Sequence, residues 1–163
     1  MGACAPAKTT MELKITSAAF QNGAMIPKQF TCDDRDVSPS LAWTEGPAGT
    51  KTFALICNDP DAPVGTWVHW VLFNLPATTA ELPENIAPEP TLAFGERHGK
   101  NSWGRLGYGG PCPPSGTHRY FFKLYALDAS LALPPGATKM EVEKAMQGHS
   151  LAQGQLMGRY KRQ

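Results

Sequence analysis

Apolar and polar residues alternate along several short segments of the chain, which predicts a fold made mainly of β-strands. The predicted strands cover residues 12–16, 41–43, 52–57, 67–75, 119–128 and 155–161. Residues 52–57 are apolar on both faces, which is typical of a central strand covered on both sides. Strict alternation in the 67–75 segment places Trp67 and His69 on the same face as Val71.

Helical periodicity is clear in one place, after the capping-box residues Thr138 and Glu141, and Gly148 is predicted to end that helix. Two other segments are rich in turn-forming residues: four prolines occur in 76–94, and seven glycines and three prolines occur in 95–116. We predict irregular connections there, and we expect a loop as long as the second only at a functional surface. The predicted fold class is mainly β, a two-sheet β-sandwich with one or two short helices.

The length of 163 residues predicts a single domain over 12–163, preceded by an aperiodic, disordered N-terminal tail over 1–11. Basic and acidic residues nearly balance, 15 against 14, so we expect no nucleic-acid partner. No stretch approaches the roughly 18 consecutive apolar residues of a membrane span, and the N-terminus lacks the apolar region of a secretory signal. We therefore expect no stable membrane insertion and a cytoplasmic location.

The four cysteines, Cys4, Cys32, Cys57 and Cys112, are widely separated and form no Cys-x-x-Cys pair. This spacing indicates neither a structural zinc site nor a redox dithiol, and it favours a role as small apolar filler residues. Cys57 is predicted to be buried, whereas Cys112, between prolines in a loop, is the cysteine to test for reactivity.

Polar residues that could form one pocket occur in two short stretches. The loop Asp59-Pro60-Asp61 follows the central strand, and His69 lies on the next strand. His118 and Tyr120, two residues apart at the start of a later strand, point to the same side of the sheet. If these strands are neighbours, the two imidazoles and the phenol converge, and both carboxylates can reach them.

Such a group can hold a small oxyanion. Imidazolium and phenol groups donate hydrogen bonds to phosphate oxygens, and backbone N–H groups of the Gly109–Gly110 turn can add others. A carboxylate can fix a histidine tautomer or receive a cationic group. The residues therefore favour a phosphorylated or zwitterionic ligand.

The same residues also have simpler interpretations. Taken singly, His69 and His118 are explained by structural hydrogen bonds, and the Asp59-Pro60 sequence by Asx-turn chemistry. The two histidines and two aspartates lack the close spacing of a metal triad, so we expect no metal and no cofactor. Ser115 lies near His118 but has no Gly-x-Ser-x-Gly elbow around it. Acid–base chemistry by the histidines and aspartates stays open.

Three stretches carry a resemblance to a known family: 59–63 (Asp-Pro-Asp-Ala-Pro), 67–70 (Trp-Val-His-Trp) and 109–120 (Gly-Gly-Pro-Cys-Pro-Pro-Ser-Gly-Thr-His-Arg-Tyr). They resemble the two signature regions of the phosphatidylethanolamine-binding protein family, and in particular its prokaryotic Raf kinase inhibitor-like branch. The resemblance runs from about Leu13 to the end of the chain. It implies a large sheet packed on a smaller one, with a pocket that binds phosphate-like groups and phospholipid head groups.

The resemblance also implies roles for individual residues. Asp59, His69, His118 and Tyr120 would bind the ligand with Asp61 close by, and Pro63, Trp67, Gly110 and Pro114 would form the pocket walls. Asn58 stands where the family often has an aspartate, which lowers the local negative charge. The chain ends at Gln163, where animal members place a further helix beside the pocket, so we expect no role that depends on that helix.

The sequence leaves three alternatives open for the function of the protein. The first is a binding protein for a small phosphorylated or anionic ligand, with a regulatory role open. The second is an enzyme in which His69 and His118, with Asp59, act as acid and base. The third is a kinase or protease inhibitor that meets a protein partner through the 95–116 loop. A homodimer is also open, because Trp103 in that loop could form a dimer contact or pack inward.

Overall fold

Two β-sheets of unequal size pack face to face in the computed structural model, which describes residues 11–163. The strands are β1 (Met11–Glu12), β2 (Ile15–Thr16), β3 (Leu41–Trp43), β4 (Thr52–Asp59), β5 (Trp67–Pro76), β6 (Glu81–Leu82), β7 (Arg97–His98), β8 (His118–Leu127) and β9 (Ser150–Tyr160). The large sheet has the order β1-β9-β8-β4-β5-β7 and the small sheet the order β2-β3-β6. The α-helix α1 spans Lys139–Met146, and a 3-10 turn spans Lys28–Phe30. The predicted fold class is confirmed.

β4 is apolar on both faces because each face packs into its own part of the hydrophobic core. One face of β4 packs between the two sheets through Phe53, Leu55 and Cys57. The opposite face packs against α1, where Val142 and Met146 are buried. Every residue of β4 is buried. This central strand therefore gives a rigid support to the loop that follows it.

The helix begins and ends where the sequence predicts. Thr138 is its N-cap residue, and its Oγ1 accepts a hydrogen bond from the Glu141 backbone N–H. Gly148 follows the helix with a φ of +80°, which glycine adopts without steric cost. None of the helices within residues 11–163 has the length and apolar character that crossing a bilayer would require.

The predicted first strand, 12–16, is wrong in one respect. It is two short strands in different sheets, because the chain crosses from one sheet to the other at Leu13 and Lys14. The Leu13 N–H donates to the Gln153 carbonyl of the large sheet, whereas the Lys14 carbonyl accepts from Thr44 beside the small sheet. The predicted disordered tail falls outside the described residues, apart from Met11, which lies in β1.

Several elements differ from the sequence predictions because they are very short or lack a clear pattern. The two-residue strands β6 and β7 lie within segments predicted to be irregular. The last strand begins earlier than predicted, at Ser150 rather than Gln155. Pairing with a neighbouring strand, and not local alternation, defines these elements.

A β-bulge in β5 overturns the predicted face of His69. Cys57 pairs with Trp70 while Asn58 pairs with Val68, so His69 is the extra residue between them. Val71 packs in the cluster that contains α1, whereas the His69 ring contacts Tyr120 on the opposite face of the sheet. Bulges often re-aim a side chain in this way beside functional sites.

The cysteine prediction is corrected by a disulfide between Cys32 and Cys112, which are 80 residues apart in sequence. These residues are not independent filler residues, and Cys112 is not a free reactive thiol. Cys57 is buried with a free thiol, as predicted. Cys4 lies outside the described residues.

Candidate ligand-binding site

A small cavity opens beside the C-terminal end of β4, where the chain enters the Asp-Pro-Asp loop. Its volume is about 240 Å³, and its lining residues are Asp59, Ala62, Pro63, Val64, Trp67, His69, Trp103, Cys112 and Pro114. A wider cleft of about 870 Å³ beside β2 and β9 has no histidine or tyrosine among its lining residues. Of the predicted ligand-binding residues, Asp59 and His69 line the smaller cavity. His118 and Tyr120 are not lining residues, but they contact Asp59 and His69 directly.

Asp59 connects the two strands that carry the histidines. β5 and β8 are not neighbours in the large sheet, because β4 lies between them. Asp59 ends β4, pairs with Trp67 on β5, and accepts a 2.7 Å hydrogen bond at Oδ2 from His118 Nδ1–H on β8. Its Oδ1 accepts a second hydrogen bond, also 2.7 Å, from the Asp61 backbone N–H. The carboxylate therefore fixes both the His118 tautomer and the start of the loop.

His69 is held by the backbone of the downstream loop. Its Nδ1–H donates a 2.7 Å hydrogen bond to the Gly109 carbonyl, and its ring lies edge-on to Tyr120, 5.1 Å between ring centroids. Burial lowers the pKa of this imidazole below its usual value. The neutral ring carries its proton on Nδ1, so Nε2 is a hydrogen-bond acceptor for a molecule in the cavity.

Tyr120 contributes an unsatisfied hydroxyl. The residue is 1% exposed, and its hydroxyl oxygen has no hydrogen-bond partner among residues 11–163. The Cys112 backbone approaches the hydroxyl without completing a hydrogen bond of standard geometry. Burial raises the pKa of this phenol, so it stays protonated and able to donate. Buried polar groups are rarely left unpaired, which makes this hydroxyl a candidate ligand contact.

Asp61 was predicted to bind ligand, but it does not line the cavity. Its carboxylate forms a bidentate pair with Arg119, with distances of 2.9 Å to Nε and 2.8 Å to a terminal guanidinium nitrogen. The hydrogen bond from Arg119 lowers the pKa of Asp61 to about 2. Asp61 therefore anchors the loop to β8 rather than facing the cavity.

Three of the four predicted wall residues, Pro63, Trp67 and Pro114, line the cavity. Gly110 does not; its N–H donates a 2.7 Å hydrogen bond to Asp36 Oδ1. A side chain at position 110 would collide with the Phe30 carbonyl, so glycine is needed for close backbone packing behind the wall.

Trp103 is the lining residue that sequence reasoning left undecided. It packs inward, with its ring edge-on to Trp67 at 5.6 Å and to His69 at 5.0 Å. A side chain at Gly109 would collide with the Trp103 ring, so this glycine gives the ring its place. A tryptophan within a glycine-rich loop was the signal available in the sequence.

Asn58, expected to reduce the negative charge near the ligand, precedes Asp59 in β4 and is not a lining residue of the cavity. It pairs with Val68 and Phe121, and alternation along the strand turns its side chain to the other face of the sheet from Asp59. An effect of Asn58 on ligand preference would therefore have to be indirect.

Comparison with known proteins shows the family to which the chain belongs. A family model described as phosphatidylethanolamine-binding protein matches residues 16–161. The chain belongs to the phosphatidylethanolamine-binding protein family. The resemblance seen in the signature stretches is confirmed at the level of the family.

Prokaryotic relatives and solved structures agree with this membership in the phosphatidylethanolamine-binding protein family. UPF0098 proteins from Aquifex aeolicus and Methanothermobacter thermautotrophicus are 50% and 49% identical to this chain, over 92% of it in each case and over 89% and 99% of their own lengths. The crystal structure of a Chlamydia trachomatis homologue of phosphatidylethanolamine-binding proteins superposes with a TM-score of 0.85 at 37% identity. E. coli YbcL, described as a member of the mammalian family, gives 0.85 at 32% identity. Each alignment covers 93% of this chain and 99% of the solved one.

Proposed function

We propose that this member of the phosphatidylethanolamine-binding protein family binds a small phosphorylated or zwitterionic ligand in the cavity beside Asp59 and His69. The observation that carries the proposal is the Tyr120 hydroxyl, which is buried next to the cavity wall and unpaired among the described residues. A ligand oxygen would supply the missing hydrogen bond and recover the cost of burying the hydroxyl.

The charges around the cavity narrow the ligand class. The Tyr120 phenol donates, whereas neutral His69 accepts and Asp59 is a carboxylate. A fully deprotonated anion would meet two electron-rich groups, but a ligand that carries a proton or an ammonium group beside its phosphate would be complementary to all three. The volume of about 240 Å³ is below the range of drug-sized pockets, so the bound group is small.

Acid–base chemistry on the bound ligand is a second candidate, favoured by one observation. The Asp59–His118 hydrogen bond joins two side chains that are both nearly inaccessible to solvent. A carboxylate that orients an imidazole is the usual arrangement for a general base. In this case incubation with phosphate esters would release product, and His118→Ala would abolish the release.

The regulatory role, the protein partner and the homodimer stay predictions. They would act through the rim of the cavity, where Val64 is 79% exposed and Trp103 is 38% exposed. Apolar side chains exposed next to a pocket are suited to protein contact.

A titration of the protein with inorganic phosphate and with phosphoethanolamine tests the main proposal, followed by tryptophan fluorescence because Trp67 and Trp103 line the cavity. We expect saturable binding that His69→Ala and His118→Ala weaken strongly. His149→Ala is the matched control, since His149 is exposed and paired only with Asp128. Absence of binding to the folded wild-type protein, or an equal effect of all three substitutions, would contradict the proposal.

A further inference from the structure

Residues 108–114, called here the pocket segment, shape the candidate site in several ways. The Gly109 carbonyl accepts the hydrogen bond that orients His69. Cys112 and Pro114 line the cavity, and the Cys112 backbone lies next to the Tyr120 hydroxyl. A displacement of this segment would therefore alter the orientation of His69, the cavity wall and the surroundings of Tyr120 together.

The pocket segment has no strand or helix of its own. It is positioned by residues 28–36, called here the flanking segment. The Tyr108 hydroxyl donates a 2.7 Å hydrogen bond to the Phe30 carbonyl, and the Cys32 N–H donates to the Pro111 carbonyl at 3.1 Å. The hydrogen bond from Gly110 to Asp36 adds a third link.

The Cys32–Cys112 disulfide is the covalent link between the same two segments. It lies directly at the site, because Cys112 is a lining residue of the cavity. Both cysteines are only half-buried, so a small reductant can reach them. Cys57, by contrast, is fully buried in the core and is not joined to another cysteine within residues 11–163.

We propose that the Cys32–Cys112 disulfide is a redox-sensitive cross-link that controls ligand affinity. This inference rests on the proposed function. With the disulfide formed, the pocket segment is fixed and the ligand-binding side chains are preorganised. When the disulfide is reduced to two thiols, the segment moves and ligand binding weakens. The redox state of the surroundings would then regulate the site without a change in the ligand.

The chemical step is thiol–disulfide exchange. A thiolate of a dithiol reductant attacks one sulfur of the disulfide, which breaks the S–S bond and releases the other cysteine as a thiolate. The second thiolate of the reductant then attacks the reductant's own sulfur in the mixed disulfide and releases the remaining cysteine thiolate. The protein gains two protons and two electrons as two thiols, and the reductant becomes a disulfide.

The experiment is an isothermal titration of inorganic phosphate into the wild-type protein, oxidised and then reduced with dithiothreitol, with thiols counted in both states. We expect phosphate to bind about tenfold more weakly to the reduced protein, because the binding groups are then no longer preorganised. Reoxidation should restore the affinity. The Cys32→Ser/Cys112→Ser double variant is the matched control; its affinity should equal that of reduced wild type and should not respond to dithiothreitol.

The outcomes separate this inference from the proposed function. Equal affinity of the two wild-type states would overturn the cross-link proposal and leave the binding proposal standing. No binding in either state would overturn both. A response of the double variant to dithiothreitol would overturn the role of these cysteines. Loss of the folded circular dichroism spectrum on reduction would also overturn it, because the disulfide would then maintain the fold rather than the site. If the double variant does not fold, the wild-type comparison alone decides.

Discussion

His118 and Asp59 form a buried hydrogen-bonded pair, 2.7 Å from Nδ1 to Oδ2, at the candidate cavity, which Asp59 lines. The chain contains a second histidine–aspartate pair, His149 and Asp128, also 2.7 Å apart but on the surface. The two pairs share the same imidazole–carboxylate hydrogen bond, but they differ in burial and in the further hydrogen bond that Asp59 accepts from the Asp61 N–H. The surface pair is therefore a reference, within one protein, for what the buried pair adds.

Asp59→Asn should lower the free energy of unfolding by about 1–3 kcal/mol, because one amide oxygen cannot accept from both His118 and the Asp61 N–H. Asp128→Asn should lower it by less than about 0.5 kcal/mol, since exposed ion pairs contribute little. Urea denaturation of both variants measures the difference. Equal losses would show that the Asp59 pair is no more important than a surface contact.

Tyr120→Phe should leave the free energy of unfolding unchanged or raise it by up to about 1 kcal/mol, because it removes a buried hydroxyl without a partner. The same substitution should weaken phosphate binding by about tenfold if the hydroxyl contacts the ligand. Denaturation and calorimetry on one preparation measure both effects.

The control for this substitution is Tyr160→Phe. The Tyr160 hydroxyl already donates to Asp33 Oδ2, whereas the Tyr120 hydroxyl is unpaired among the described residues and the Tyr120 ring contacts the lining residue His69. This change should lower stability and leave phosphate affinity unaltered. A Tyr120→Phe protein that loses stability but keeps its affinity would contradict the assignment of the hydroxyl to the ligand.

Sulfate binding should depend on pH through His69. Burial lowers the pKa of this imidazole, so near neutral pH the ring is uncharged and its Nε2 accepts rather than donates. Sulfate brings no proton, and it should therefore bind more tightly as the pH falls below about 6.5 and His69 becomes protonated. His69→Gln should remove most of this pH dependence. A wild-type affinity that is constant with pH would exclude His69 as a sulfate contact.

Folding stability should decrease in mild acid because of His98. This residue is fully buried, accepts a hydrogen bond from Trp70 Nε1 at Nε2, and donates from Nδ1 to the Glu89 carbonyl. Burial lowers its pKa in the folded protein, so between that pKa and about 6.5 the unfolded chain binds more protons. The stability that comes from keeping His98 neutral is fully present above about pH 6.5. It is lost as the pH falls from there towards the lower pKa of the folded protein.

Urea denaturation at several pH values measures the slope of the unfolding free energy against pH. His98→Gln should make it shallower, whatever its effect on stability at neutral pH, because glutamine does not titrate. An unchanged slope in this variant would assign the acid sensitivity to other groups.

Local sequence patterns were enough to predict three of the four long strands and the helix, but only the second half of β9. The strands β4, β5 and β8 are eight to ten residues each and carry dense apolar patterns, and α1 carries a cap. Strands of two residues, such as β6 and β7, have no periodicity to read. They exist only because a distant strand offers hydrogen-bonding groups to them.

The sequence predicted the parts of the candidate site that lie near strand ends. It did not predict the parts that depend on which segments meet in the fold. The sequence pointed to Asp59, His69 and the proline walls, because these lie next to recognisable strand ends. The bulge at His69 and the disulfide depend on which segments meet in three dimensions. The pairing that turns Asp61 away from the cavity was also out of reach of local patterns, because its partner, Arg119, comes 58 residues later in the chain.

The Cys32–Cys112 bond also makes a closed ring of chain within the protein. The ring contains β3, β4, β5, β6 and β7, whereas β8, α1 and β9 lie outside it. If the two ends of the molecule were pulled apart, the chain between the two cysteines, which are 80 positions apart, would contribute almost nothing to the final length while the bond is intact. The hidden length is about 280 Å at roughly 3.5 Å per residue. The large sheet would therefore come apart along the boundary between β4 and β8, with β4, β5 and β7 still held in one loop.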